Sequence, residues 1–119
     1  LPVIAGAIRT LVVNRDRTES ALRDELLATD LADYLVHKGV PFRTSHHIVG
    51  EVVRAAIAKG CGLRELSIAD YRGVSPHFAE DVEAFLDFRA AVERRNVTGG
   101  TATKSVRAQI EQAREVLQR

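Results

Sequence analysis

Apolar residues recur along this chain at helical spacing almost from end to end. Leu1, Ile4, Ala5, Ile8, Leu11 and Val12 stand at i, i+3, i+4, i+7, i+10 and i+11, one face of a helix rather than the alternation of a strand. Leu31, Ala32, Leu35 and Val36 form a second stripe over 29–38, with Thr29 as the expected N-cap. Ile48, Val49, Val52, Val53 and Ala56 share one face of a longer helix and turn Glu51 and Arg54 away from it. Phe78, Val82 and Phe85 place another helix over 76–86, Phe88, Ala91 and Val92 a further turn, and Val106, Ile110, Ala113 and Leu117 a last helix. No stretch alternates as a strand does, so the pattern predicts an all-α fold.

The punctuation between stripes agrees. Gly39 stands where a left-handed residue ends a helix, and Pro41, which lacks an N–H, suits the first turn of the next. This corner, within the stretch 28–50, is the hub of the predicted fold. Asn14 is the expected N-cap of a short charged helix over 15–23, with Asp16 and Glu19 near its positive end. The second hub helix should stop at Lys59, because Gly60-Cys61-Gly62 follows. Leu63 and Leu66 should anchor the connection that follows. Ser67 and Asp70 have capping-box spacing for a one-turn helix over 68–71, and Gly73 should then release the chain. Ser75-Pro76 reads as a helix start, and Thr98-Gly99-Gly100-Thr101 as a turn with Thr101 capping the last helix.

Composition narrows the function classes. A chain of 119 residues is one domain's worth. Lys plus Arg number 17 against 16 for Asp plus Glu, so the overall charge gives no argument for nucleic acid or an acidic membrane. A helix-turn-helix DNA binder built on the Gly39 corner is disfavoured, since the second helix lacks a run of Arg, Lys, Asn or Gln on its exposed face. Cys61, the only cysteine, rules out an intrachain disulfide and fits a reducing, cytoplasmic setting. No run approaches the roughly 20 apolar residues of a membrane span. No methionine occurs, so the sequence reads as a fragment; a mature chain cleaved from a precursor is the alternative.

Candidate chemistry is sparse. His46 and His47 diverge on a helix and cannot share a metal, whose ligand pairs stand at i and i+4; hydrogen bonding beside the buried stripe is their expected role. Gly99-Gly100-Thr101 lacks the spacing of a phosphate loop, and Lys104-Ser105 falls inside the helix rather than closing one. Arg94-Arg95 reads as a solvated face, and Asp30, Asp33, Glu80 and Asp81 as surface or capping carboxylates. Cys61 has no neighbouring base, and no serine stands on a strand-turn-helix elbow. The residues nominate no catalytic, substrate-binding or metal site, and no cofactor.

Three separated strings nevertheless form a set. Ala28-Thr29-Asp30-Leu31-Ala32-Asp33-Tyr34-Leu35-Val36 with Lys38-Gly39-Val40-Pro41-Phe42-Arg43 and His46-His47-Ile48-Val49-Gly50 is the first. Ser75-Pro76-His77-Phe78 with Asp81-Val82 is the second. Val92, Arg95, Gly99-Gly100-Thr101-Ala102 and Val106 are the third. In this order they resemble the C-terminal region of argininosuccinate lyases, within the fumarase and aspartase superfamily. The departures are Thr44-Ser45 where Glu-Ala is common, Ala91 where serine is common, and Thr98 where proline often stands.

The resemblance implies that 1–27 is the end of a central-bundle helix with its crossing segment, and 28–119 a small C-terminal helical domain. It implies a parent enzyme that splits argininosuccinate reversibly into arginine and fumarate in arginine biosynthesis, as a cytoplasmic homotetramer. The partners would be the rest of that chain and the tetramer, with substrate met only through the whole enzyme. The family's serine loop and catalytic histidine lie outside the matching strings, so none of its catalytic residues maps onto this chain, which alone should be inactive. The alternative is a non-catalytic helical interaction module or a crystallin-like relative.

Overall fold

The computed structural model describes residues 2–118 and is all-α among them. Eight helices follow in order: α1 (Pro2–Arg9), α2 (Arg15–Ser20), α3 (Ala28–His37), α4 (Phe42–Lys59), α5 (Ile68–Val74), α6 (Val82–Phe85), α7 (Phe88–Arg94) and α8 (Thr103–Leu117). Single 3-10 turns, Asp24–Leu27 and Leu63–Glu65, precede α3 and α5.

The hub forms as its pattern predicts. Leu31 and Leu35 of α3 and Val52 of α4 are fully buried, and Val49 and Ala56 nearly so, which joins the two helices through one apolar seam. Gly39 turns the corner at φ 88°, while its N–H donates to Val36 O at 2.9 Å and that of Val40 to Leu35 O at 3.0 Å. This pair of bonds satisfies two carbonyls the helix end would otherwise leave bare. Pro41 lies one residue ahead of α4 rather than inside its first turn. Gly60, at φ 67°, closes α4 by the same pattern, with Cys61 N–H bonded to Ala56 O at 3.1 Å.

Behind the hub, Phe78 lies between two tyrosines, parallel to the Tyr34 ring with centroids 5.9 Å apart and tilted by 55° against the Tyr71 ring at 5.0 Å. The Tyr71 hydroxyl donates to Leu63 O at 2.7 Å, which fixes α5 against the anchoring turn. Buried Ser45 donates to the carbonyls of Val40 and Pro41, so the corner holds no orphaned hydroxyl.

Several local expectations are corrected. Thr29 caps nothing, because the 3-10 turn runs straight into α3 and Leu27 occupies the cap position. The charged helix α2 ends at Ser20 rather than 23, although Asn14 Oδ1 accepts from Arg17 N–H as expected. The Ser67–Asp70 capping box forms, but α5 runs through Gly73 to Val74. The helix expected over 76–86 shrinks to four residues, Val82–Phe85. Two of its backbone groups are claimed from outside: Ala79 N–H donates to the Tyr34 hydroxyl and Phe78 O accepts from Arg72. Thr101 does not cap α8; the Glu93 carboxylate, from α7, accepts the Thr103 N–H at 3.3 Å and its hydroxyl at 2.5 Å.

The two terminal stripes are not core. No residue of α1 is buried, and of α8 only Ser105 is. α1 stops at Arg9, short of Leu11 and Val12, and Leu1 lies outside the described residues.

Candidate functional site

The densest polar cluster joins the starts and ends of distant helices. Asp30, in the first turn of α3, is 3% exposed. Its Oδ1 accepts from Arg94 at 3.1 Å and from Arg95 at 3.3 Å, and its Oδ2 from Arg95 at 3.2 Å. Arg94 also lies over the Phe85 ring, its guanidinium carbon 3.8 Å from the centroid, and donates to Phe85 O at 2.8 Å. Both arginines stay exposed to water as their sequence suggests, yet each is tethered to Asp30, which is buried rather than a surface carboxylate. Burying one carboxylate under two guanidinium groups is tolerable because both of its oxygens find charged donors.

A second cluster lies on the other side of Tyr34. Its hydroxyl donates to Asp81 Oδ1 at 2.5 Å and accepts from Ala79 N–H at 3.1 Å, while Lys38 Nζ reaches Asp81 Oδ2 at 2.6 Å. Burial, then the Asp81 hydrogen bond, holds the Tyr34 phenol above its ordinary range; the bonds from Lys38 and Tyr34 hold Asp81 below the usual carboxylate range. Burial likewise pushes the Tyr71 phenol up.

The third string closes a loop. Ala102, 1% exposed, donates its N–H to Arg95 O at 3.3 Å. Gly99 takes φ 78°, and a Cβ on Gly100 would sit 2.1 Å from Arg95 O. The glycine pair thus serves a close backbone approach rather than an anion. Gly62 plays a similar part, since a Cβ there would meet Asp24 Oδ2 at 2.5 Å, where that carboxylate accepts from Arg64 Nε at 2.7 Å.

His46 and His47 stand elsewhere, exposed on α4. His46 meets the Phe42 ring edge-on, centroids 4.5 Å apart, and His47 Nε2 is 4.0 Å from Glu51. Neither makes the hydrogen bond expected of it among the described residues. Asp33 and Glu80 lie exposed, and Cys61 is a half-buried free thiol. Among the described residues no group of three or more His, Cys, Asp and Glu could hold a metal ion, and no helix is long and apolar enough to cross a membrane.

The three strings noted in the sequence are therefore locked to one another: Tyr34 ties the first to the second, and Asp30 ties the first to the third. Comparison with known proteins gives this set its family. The model for the argininosuccinate lyase C-terminal region matches residues 25–93.

The chain belongs to the argininosuccinate lyase C-terminal family. A relative named argininosuccinate lyase from Herpetosiphon aurantiacus is 50% identical over 117 residues, covering 98% of this chain and 26% of that protein. One of the same name from Saccharomyces paradoxus is 50% identical over 109 residues, covering 91% and 24%. A third, from Lactococcus lactis, is 46% identical over 120 residues, covering 100% and 26%. The chain thus spans about a quarter of the length of these relatives and corresponds to their C-terminal region.

Within the family-matched segment lie Asp30, Tyr34, Asp81 and the whole hub. The Arg95–Ala102 loop and α8 follow it. Sequence reasoning had these residues in view but missed the pairing of Asp30, Tyr34 and Lys38, because partners 43 to 65 positions away leave no periodic signal.

Proposed function

We propose that this chain is the C-terminal part of an argininosuccinate lyase, a cytoplasmic homotetramer that splits argininosuccinate reversibly into arginine and fumarate. Residues 1–27 are the end of a central-bundle helix with its crossing segment, and 28–119 the C-terminal helical domain. The observation that carries the reading is near-complete coverage of this chain at 46–50% identity by relatives of that name, of which it spans only about a quarter. Its role is to pack on the rest of the parent chain, with no catalytic residue of its own.

Chemistry supports that division. Eliminating an amine from a carbon beside a carboxylate needs a base, stabilisation of a doubly charged intermediate and an acid for the leaving nitrogen, all within a few Å of one substrate. Arg94 and Arg95 are committed to Asp30, and the exposed His46 and His47 have beside them only the Phe42 ring and, at 4.0 Å, the Glu51 carboxylate, which do not make a converging base, acid and anion-stabilising set.

The test is fumarate release from argininosuccinate, followed by ultraviolet absorbance, for the purified 119-residue chain and for the full-length parent. Turnover is expected only for the full-length protein. Turnover by the chain alone, abolished by His46→Ala or His47→Ala, overturns the assignment of catalysis to other segments. A full-length parent without turnover transfers the chain to the non-catalytic class.

A further inference from the structure

One flank of α4, beside its core face, carries a ridge whose ends the fold leaves uncovered, while Val53 in its middle packs in part against the core. At 100° per residue, Phe42, Val53, His46, Ile57 and Gly50 fall within an arc of about 80° and run about 22 Å along the helix. Phe42 and Ile57, at the two ends, are 63% and 70% exposed. His46 braces Phe42 edge-on, so the upper end is a fixed aromatic knob rather than a loose side chain. Gly50 sits mid-ridge with nothing within 4 Å of where a Cβ would stand, which leaves a saddle between the two apolar ends. The helix beneath is held by Val49, Val52 and Ala56 in the core, so the surface is preorganised.

Charge marks one edge of this ridge. Arg43, Arg54 and His47 follow Gly50 around the helix on the side away from the core. Arg43 has no ion pair or side-chain hydrogen bond among the described residues, and Arg54 shares Glu51 with His47. Along the axis Arg43 and Arg54 stand about 16 Å apart.

We propose that this ridge docks one amphipathic helix crossing α4 over Gly50. Its apolar face lies on Phe42 and Ile57, its carboxylates meet Arg43 and Arg54, and it comes from the part of the parent lyase outside these 119 residues. The proposal rests on the reading of the chain as part of that lyase. A glycine saddle lets a second helix axis come close, and an apolar strip with a one-sided cationic edge fits a strip with a one-sided anionic edge. A second copy of α4 does not fit. In a two-fold antiparallel pair like edges meet, setting Arg43 of one copy against Arg54 of the other. The exposed helices of this chain do not fit either: α2 has no apolar residue, α1 has no acidic one, and the α8 stripe is flanked by Arg107 and Arg114. The relatives are about four times as long as this chain, so most of the helix available to such a contact lies beyond it.

The experiment places a benzophenone amino acid at Phe42, at Ile57 and, off the ridge, at Ala58 of the full-length parent, and maps cross-linked peptides by mass spectrometry. Positions 42 and 57 are expected to label one acid-edged segment outside these 119 residues, and position 58 not to label it. Cross-links only to this same segment of another copy, or none from either ridge position, overturn the proposal. Gly50→Leu separates docking from folding: the isolated chain should keep or raise its melting temperature, while cross-linking in the full-length protein should fall at least tenfold. Retention within twofold overturns the saddle contact. Arg43→Glu with Arg54→Glu should lower cross-linking similarly, and an unchanged yield overturns the charged edge. A parent that cross-links as described but releases no fumarate sinks only the lyase reading, and an active parent without the cross-links sinks only the docking.

Discussion

Asp30 and Arg95 lie sixty-five positions apart in sequence and 3.2 Å apart in space, and their contact ties the first turn of α3 to the loop that launches α8. Breaking a buried ion pair leaves an uncompensated charge, which costs more than the pair itself contributes. The side chains of Arg94 and Arg95 are 29% and 44% exposed, so water recovers part of that cost for them. Asp30→Ala should therefore destabilise the chain by about 2 kcal/mol. Urea denaturation measures it, and a midpoint unchanged by Asp30→Ala would show that α7 is held by Phe85 and its neighbours alone.

Glycines in this chain should respond to alanine in opposite directions. Gly100→Ala would drive a Cβ to 2.1 Å from Arg95 O, and the loop must open to admit it, at a cost of about 2 kcal/mol. Gly39→Ala forces alanine to φ 88° and should cost about 1 kcal/mol or more. Gly50→Ala adds a Cβ in open space within a helix and should stabilise the isolated chain by about 0.5–1 kcal/mol. Denaturation midpoints of the three variants must fall in that order, with Gly50→Ala above the parent sequence.

Acid should unfold the chain through carboxylates that fold with depressed pKa values. Asp70 accepts from Lys59 Nζ at 2.5 Å and from the Ser67 hydroxyl at 2.8 Å, and these bonds take its pKa from 3.8 to about 2. Asp81 is lowered as well, by Lys38 and Tyr34. A group with a depressed folded pKa adds stability that is complete above its unfolded value and disappears as pH falls through the folded one. Stability should thus decline from about pH 4 toward pH 2. Asp70→Asn should lower the urea midpoint at pH 7 and flatten the acid limb, and an acid limb as steep as before would assign the loss to other groups.

What the sequence made legible was what lies within a few positions. The turn at Gly39, the Asn14 cap, the Ser67–Asp70 box and the end of α4 at Lys59 each depend on neighbours along the chain, and each forms as read. What it concealed was every polar group recruited across the fold. Glu93 caps α8 in place of Thr101, Tyr34 and Arg72 claim the backbone that would have lengthened α6, and buried Asp30 engages two arginines from a distant helix end. The histidines failed for a related reason: helical phase places His46 near the core edge, but only the packed α3–α4 seam reveals that the edge is open.

The terminal helices should be the least stable parts of the isolated chain. Every residue from Val106 to Gln118 is exposed, yet Val106, Ile110, Ala113 and Leu117 keep helical spacing, with Ile110 45% and Leu117 86% exposed. On α1, Val3, Ile4 and Ile8 are 84%, 61% and 68% exposed. A helix of fewer than about 15 residues is marginal in water without a packed face, because nucleation costs more than a few hydrogen bonds return. Amide protons of α1, and of α8 beyond Ser105, should exchange orders of magnitude faster than those of α3 and α4 in the dilute chain. At higher concentration these stripes should drive self-association, since apolar surface of this extent seeks cover. Hydrogen exchange read by mass spectrometry, with sedimentation across a concentration series, measures both. Slow exchange across α1 in a strictly monomeric chain would mean that its stripe is covered from within, and that it is not the end of a bundle helix.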